Sequence, residues 1–170
     1  MNNPIKVALC GLGTVGGAVF RLINDKSELF KRRFGAEIKI VAVSARDKYK
    51  ERDICLNDVA WFDDGIEMAE ESDANVVVEL VGGSEGVALE VCQKALSTGK
   101  DIVTANKALL AVHGFDLAKL ADEESRSIGY EAAVAGGIPV IKALREGLVC
   151  NKVQRLYGIL NGTSNFILTE

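Results

Sequence analysis

Three glycines at positions 11, 13 and 16 show the spacing Gly-x-Gly-x-x-Gly. They follow a predicted strand at residues 5–10 and open a predicted helix, the context in which this spacing is informative. Gly11 permits a tight turn, Gly13 lets the backbone approach a pyrophosphate, and Gly16 lets the helix pack on the strand. The helix N-terminus offers N–H groups and a positive dipole end to phosphates. The spacing predicts dinucleotide binding; the alternative is a strand–helix turn that is merely tight.

The segment after the second predicted strand bears on which dinucleotide is bound. Residues 44–48 read Ser-Ala-Arg-Asp-Lys, and no acidic residue clearly ends that strand. Arg46 and Lys48 are suited to pairing with a 2′-phosphate, whereas a carboxylate such as Asp47 would bind a ribose 2′-hydroxyl. We therefore favour NADP over NAD. The alternative is that both cations lie in a solvated loop.

Two further strand ends carry groups suited to binding a ligand. Gly82 and Gly83 follow one predicted strand, where they would admit the ribose or the nicotinamide of the dinucleotide. Thr104, Asn106 and Lys107 follow the next strand, and ligands of open α/β sheets bind at this edge. Lys107 could hold a substrate oxygen or assist proton transfer. The alternative is a lysine that starts a helix and faces water.

Strands and helices alternate along the chain. Strands are predicted at residues 5–10, 37–44, 75–81, 101–104, 127–131 and 152–160. Helices are predicted at residues 15–30, 65–71, 86–97, 107–124 and 139–148. This alternation predicts an α/β fold with a doubly wound, mostly parallel, Rossmann-like sheet.

The chain changes character after residue 135. We predict a dinucleotide-binding domain at residues 1–135 and the incomplete start of a second, α+β domain at residues 136–170. Thr163 or Ser164 would cap a new helix that the sequence carries for only about two turns. We therefore expect this chain to be part of a larger protein.

Three later segments, TANKAL at residues 104–109, YEAAVAGGIP at residues 130–139 and GILNGTSNFI at residues 158–167, resemble the homoserine dehydrogenase family. Residues 104–109 (TANKAL) resemble the signature around its active-site lysine, and residues 130–139 (YEAAVAGGIP) resemble a second signature. Residues 158–167 (GILNGTSNFI) resemble the entry into its catalytic domain. With the glycine segment, four motifs follow the family's order. The resemblance implies NAD(P)-dependent interconversion of L-homoserine and L-aspartate 4-semialdehyde, an oxidoreductase step towards threonine and methionine.

The resemblance also implies roles for particular residues. Thr14 and Val15 match positions at the pyrophosphate, and Lys107 matches the catalytic lysine near the nicotinamide and the substrate. The family's acidic residues and second lysine would follow Glu170, so we expect coenzyme binding with little or no turnover from this chain alone. For the full-length protein we expect a cytoplasmic homodimer.

A sodium ion is a further implied ligand. Glu131, with the backbone carbonyls of Val134, Gly136 and Ile138, matches the family's sodium site. A hard cation prefers oxygen ligands, and a glycine-rich bend can turn carbonyls inward. The alternative for Glu131 is a structural hydrogen-bonding role.

Composition narrows the classes of function. The net charge of −4, without a long run of like charges, disfavours a nucleic-acid partner. We find neither an apolar run long enough to cross a bilayer nor a signal peptide, so we expect no membrane partner. The small-molecule substrate is what the resemblance implies. The four cysteines form no CxxC pair, which predicts mostly buried thiols. His113, the only histidine, is predicted to be structural or solvent-facing.

Two other interpretations stay open at this point. One is a related amino-acid or semialdehyde dehydrogenase, which would share the glycine segment but not the later motifs together. The other is a non-catalytic NAD(P)-sensing domain, which would bind the dinucleotide and ignore the semialdehyde.

Overall fold

The computed structural model describes residues 3–158, and within them six strands form one parallel sheet. The strands are β1 (Ile5–Cys10), β2 (Ile38–Ser44), β3 (Ala60–Phe62), β4 (Val76–Glu79), β5 (Asp101–Thr104) and β6 (Ile128–Gly129). Their order is β3-β2-β1-β4-β5-β6, so the chain runs outwards from β1 in one direction and then restarts beside it in the other. The crevice between β1 and β4 is therefore the switch point at which open α/β sheets bind ligands.

Helices connect the strands. They are α1 (Thr14–Asp25), α2 (Ser27–Phe34), α3 (Gly65–Glu71), α4 (Val87–Ser97), α5 (Lys107–Glu123) and the short α6 (Val140–Lys142). A 3-10 turn, Glu131–Ala133, precedes α6, and a single π turn, Ala143–Gly147, follows it. None of the helices between residues 3 and 158 combines the length and the apolar character that a membrane-crossing helix needs.

Both faces of the sheet are covered, because side chains alternate along each strand. Ala8 and Cys10 of β1 lie in a core cluster that includes buried residues of α3, α4 and α5. Val7 and Leu9 lie in a second cluster, which includes Phe20 of α1. This two-sided burial explains why the strands of the sheet centre are nearly continuous in apolar residues.

The structure confirms the predicted fold class and corrects several elements. The single helix predicted at residues 15–30 is two helices, broken at Lys26. Strand β3 was not predicted, because three residues are too few to show an alternating pattern. The prediction of mostly buried cysteines is wrong, because Cys10 and Cys92 are buried whereas Cys55 and Cys150 are exposed.

The region after residue 139 departs most from prediction. The helix expected at residues 139–148 is one short α turn followed by a π turn. The strand expected at residues 152–160 is wrong for residues 152–158, which lie exposed and pair with no strand of the described chain. Val153, Leu156 and Tyr157 favour a strand by type, but an isolated strand has no neighbour to complete its hydrogen bonds. The helix expected after Thr163 or Ser164 lies outside the described residues.

Candidate functional site

The glycine turn is wedged between the ends of β2 and β4. The Gly11 N–H donates to the Ser44 carbonyl at 2.8 Å, and the Leu80 N–H donates to the Cys10 carbonyl at 2.8 Å. Gly11 has φ +102°, and a Cβ atom there would lie 2.8 Å from the Leu80 carbonyl oxygen. A side chain at this position is therefore excluded both by backbone conformation and by the neighbouring strand.

The turn delivers the chain into the start of α1, which presents its N-terminus openly. Gly13 is the N-cap, and no side chain of the described residues accepts a hydrogen bond there in place of a ligand. A Cβ atom on Gly13 would meet no atom of residues 3–158 within 4 Å. Thr14 and Val15 are exposed beside it. A pyrophosphate fits this arrangement, because the helix offers N–H groups and a positive dipole end in open space.

The loop after β2 holds the residues predicted to choose the coenzyme. Arg46 and Lys48 are exposed, so their cationic groups face solvent beside the carboxyl edge of the sheet. The Asp47 Oδ1 atom accepts from the N–H groups of Tyr49 and Lys50 at 2.9 and 3.1 Å. Asp47 thus folds the loop by an Asx turn.

Arg52 connects this loop to the glycine turn, and sequence inspection missed it. Its guanidinium donates to the Asp47 carbonyl at 2.7 Å and to the Lys50 carbonyl at 2.9 Å. Its Nε atom donates to the Leu12 carbonyl at 3.3 Å. The same group lies 5.7 Å from the Trp61 ring centroid, within cation–π range. No signal in the irregular charged loop distinguished Arg52 from the other cations there.

Glu79, at the end of β4, was also missed. Its side chain is fully buried, with 0% exposure. Oε1 accepts from the Val81 N–H at 2.8 Å and from the Gly82 N–H at 3.1 Å. Oε2 accepts from the Thr104 hydroxyl at 2.6 Å. A signal existed in the sequence, because Glu79 is the one charged residue within an otherwise apolar run, and buried charges need bonded partners.

Thr104 and Asn106 extend these contacts to α5. The Thr104 hydroxyl oxygen accepts from the Asn106 N–H at 3.0 Å. The Asn106 Nδ2 atom donates to the Gly83 carbonyl at 2.6 Å, and its Oδ1 accepts from the Leu109 N–H at 3.1 Å. Asn106 is therefore both the N-cap of α5 and a tie to the loop after β4. These contacts bring Gly82, Gly83, Thr104 and Asn106 together, and the exposed Lys107 follows as the first residue of α5. Their role in coenzyme binding stays a prediction.

A second contact joins the same loop to α5. The His113 Nε2 atom lies 2.8 Å from Glu85 Oε1. Glu85 belongs to the loop that also contains Gly82 and Gly83, so this pair fastens the loop at its outer side. The structural role predicted for His113 agrees with this contact.

The predicted sodium ligands lie in the segment between β6 and α6. The Glu131 carboxylate accepts from the Ile141 N–H at 3.0 Å and from the Lys142 N–H at 2.8 Å, which caps the first turn of α6. The Ile138 carbonyl accepts from the Val140 N–H at 2.8 Å. Among residues 3–158 no group of three or more histidines, cysteines or acids is placed to hold a metal ion. Sodium binding, which would rely on carbonyl oxygens, stays a prediction.

Comparison with known proteins agrees with the geometry. Residues 11–131 match the family described as "Homoserine dehydrogenase, NAD binding domain", and residues 139–170 match the family described as "Homoserine dehydrogenase". The chain is 48% identical over 168 residues to a homoserine dehydrogenase of Neisseria gonorrhoeae and 46% identical to one of Pseudomonas aeruginosa. In both cases the match covers 99% of this chain and 38% of the relative.

A solved structure shows the same relationship in three dimensions. The crystal structure of a homoserine dehydrogenase from Thiobacillus denitrificans superposes with a TM-score of 0.85 at 42% identity, covering 97% of this chain and 38% of that one. This chain thus spans 38% of the length of each of these relatives. Its glycine turn, parallel sheet and Lys107 segment lie in the matched region, and the chain belongs to the homoserine dehydrogenase family.

Proposed function

We propose that this chain binds NAD(P) and forms the coenzyme-binding part of an enzyme that interconverts L-homoserine and L-aspartate 4-semialdehyde. The observation that carries the proposal is the open N-terminus of α1 at Gly13, placed at the β1–β4 switch point. The groups around Thr104 and Asn106 end the adjacent strand at the same edge. When bound, the coenzyme supplies or accepts the hydride that changes the oxidation state of the substrate carbon.

Lys107 is the residue that we assign to the substrate. Its ammonium group is exposed at the start of α5, directly after the Asn106 cap that fixes the backbone there. A cation in this position can donate a hydrogen bond to the carbonyl oxygen of the semialdehyde. It would thereby stabilise the negative charge that develops on that oxygen as hydride arrives.

Turnover is expected to need groups that this sequence does not hold. The chain spans 38% of the length of its relatives, and only Lys107 is assigned to the chemistry itself. We propose that acid–base groups elsewhere in the whole enzyme move the hydroxyl proton. We further propose that the whole enzyme is a cytoplasmic homodimer acting in threonine and methionine synthesis.

NADP is proposed as the preferred coenzyme. Asp47 is engaged in folding its own loop, whereas Arg46 and Lys48 present two exposed cations on that loop. A 2′-phosphate would gain charge-assisted hydrogen bonds from such cations, and a 2′-hydroxyl would gain much less. Sodium binding at Glu131 and the neighbouring carbonyls is proposed as a separate, structural addition to the site.

The test is a titration of the chain with NADPH and with NADH, followed by nicotinamide fluorescence, and then an assay with L-homoserine and oxidised coenzyme. We expect saturable binding, tighter for NADPH, without measurable turnover. Circular dichroism melting of the same sample establishes that the chain is folded. A folded chain that binds neither coenzyme would overturn the proposal.

A further inference from the structure

We propose that Glu79 is a positioning residue, which sets the part of the coenzyme site that receives the nicotinamide. The inference rests on the proposed function and adds a group that the sequence motifs did not assign. It starts from one contrast: β4 is otherwise apolar, yet its last residue is a carboxylate with no exposed surface. Burying such a group is unfavourable unless its oxygens are fully bonded, so its contacts define what it does.

Three hydrogen bonds converge on the Glu79 carboxylate from two different loops. Val81 and Gly82 donate their N–H groups from the loop after β4, and Thr104 donates its hydroxyl from the end of β5. The direction of these bonds matters. An ionised carboxylate only accepts, so it can satisfy two backbone donors and one hydroxyl donor at once. A neutral amide of the same size cannot present acceptors on both sides.

Glu79 holds the inner part of the loop after β4, whereas the His113–Glu85 pair holds its outer side. Gly82 and Gly83 have φ +82° and φ +87°, backbone conformations that glycine adopts among many others. Both glycines are exposed, and apart from their chain neighbours a Cβ atom on either would contact nothing within 4 Å in the described chain. The N–H groups of Val81 and Gly82 donate to the Glu79 carboxylate, and the Asn106 side chain donates to the Gly83 carbonyl, so these bonds fix the path of the two glycines.

The contact on the second side continues to Lys107. The Thr104 hydroxyl oxygen also accepts from the Asn106 N–H. Asn106 in turn caps the helix that begins with Lys107. Glu79 therefore holds the two loops that end β4 and β5 in one arrangement. Because these loops flank the switch point on the side away from Arg46 and Lys48, they face the end of the dinucleotide opposite the 2′-phosphate.

A purely structural role predicts a different outcome from a positioning role. If Glu79 only stabilised the fold, its substitution would lower the melting temperature and would weaken the binding of every ligand. If it positions the nicotinamide end, its substitution weakens the intact coenzyme and spares a ligand that lacks nicotinamide. NADPH and 2′-phospho-ADP-ribose form such a pair, since they share the pyrophosphate and the 2′-phosphate. NADH and ADP-ribose form the equivalent pair without the 2′-phosphate.

The experiment compares these ligands on the parent chain and on four variants by calorimetric titration. Glu79→Gln leaves one donor without an acceptor, and Thr104→Val removes the hydroxyl while keeping the shape. Thr104→Ser keeps the hydroxyl and tests rescue. Glu90→Gln makes the same exchange at an exposed position of α4 and serves as the matched control.

We expect Glu79→Gln and Thr104→Val to raise the dissociation constant of NADPH about tenfold, which corresponds to one net hydrogen bond. The dissociation constant of 2′-phospho-ADP-ribose should change less than about twofold. Thr104→Ser should stay within about threefold of the parent for NADPH. Equal loss of both ligands, or no loss of either in Glu79→Gln, would overturn the inference. A parent chain that binds none of the four ligands would instead overturn the proposed function, so the two failures are distinguishable.

Discussion

A Cβ atom on Gly16 would lie 1.9 Å from the carbonyl oxygen of Gly11, a distance that no packing adjustment of side chains can relieve. A Cβ atom on Gly13, by contrast, would meet no atom of the described chain within 4 Å apart from its chain neighbours. The two glycines therefore serve different purposes within one turn. Gly16 lets α1 approach β1, whereas Gly13 keeps the helix end accessible to a ligand.

This difference predicts opposite phenotypes for two alanine substitutions. Gly16→Ala should lower the free energy of unfolding by about 2 kcal/mol or more, because backbone must move to admit the methyl group. Gly13→Ala should leave the melting temperature nearly unchanged, since φ is −78° there, but should weaken both coenzymes. Thermal melting and coenzyme titration separate the two effects. Gly17→Ala, at an ordinary packing distance, is the matched control; a Gly13→Ala chain that binds normally would contradict the pyrophosphate assignment.

Coenzyme choice is tested by removing the two exposed cations together. Arg46→Ala with Lys48→Ala should weaken NADPH by roughly tenfold per lost charge-assisted hydrogen bond and leave NADH within about twofold. The readout is the ratio of the two dissociation constants at fixed ionic strength. Lys50→Ala, in the same exposed loop, is the control for general loss of positive charge. An equal loss for NADPH and NADH would mean that these cations do not recognise the 2′-phosphate.

Stability at alkaline pH should depend on two buried thiols. Burial, with smaller contributions from the charges of Glu79 and Asp64, raises the pKa of Cys10 from 9.0 to about 12. Burial, together with Glu79 and Cys10, raises the pKa of Cys92 to about 12 as well. Between pH 9 and about pH 12 the thiols of the unfolded chain lose protons that the thiols of the folded chain keep. The free energy of unfolding therefore falls as pH rises above 9, by up to about 1.4 kcal/mol per pH unit for each thiol.

Urea unfolding between pH 8 and 11 measures this slope. The Cys10→Ala, Cys92→Ala double variant should show a shallower fall than the parent. Lys100 acts in the opposite direction, because burial lowers its pKa and its contribution to stability rises with pH, but it is common to both proteins. The parent and the double variant falling in parallel would show that these thiols do not contribute.

A thiol reagent at pH 8 should label only the exposed Cys55 and Cys150 in the folded chain.

Glu131 offers a separate test of its two assigned roles. Glu131→Ala removes the cap of α6 and should lower the free energy of unfolding by about 1 kcal/mol if that turn unfolds with the sheet. If sodium also binds, sodium chloride should raise the melting temperature of the parent above its value in choline chloride. The increase should disappear in Glu131→Ala. Equal melting temperatures of the parent in the two salts would show that sodium does not bind at this site.

The central strands of the sheet were predictable because their signals are local. The apolar run of β4 and the strand–glycine–helix order around Gly11 each depend on neighbouring residues, and both appear in the structure as expected. The split of the first helix at Lys26 was not predictable in this way. Apolar residues continue at helical spacing across the break, so the pattern does not reveal where the backbone changes direction.

The unpredicted part of the site consists of contacts between residues far apart in sequence. Arg52 reaches Leu12 across 40 positions, and Glu79 reaches Thr104 across 25. Spacing rules describe turns and helices, and they contain no information about which loop returns to which strand end. Glu79 nevertheless differed in type from its surroundings, and a charge inside a buried strand is a general indicator of such a contact.

The position of β1 in the sheet has a consequence for folding of the chain during translation. β1 is made first, yet its glycine turn rests on the Leu80 backbone, which is added about seventy residues later. At the usual rate of translation, about 5–20 residues per second, several seconds separate the two events on the ribosome. Until β4 arrives, one edge of β1 has no partner, and exposed strand edges invite aggregation. A nascent chain therefore completes its glycine turn late, and a ligand that binds this turn cannot protect the growing polypeptide before β4 has emerged from the exit tunnel.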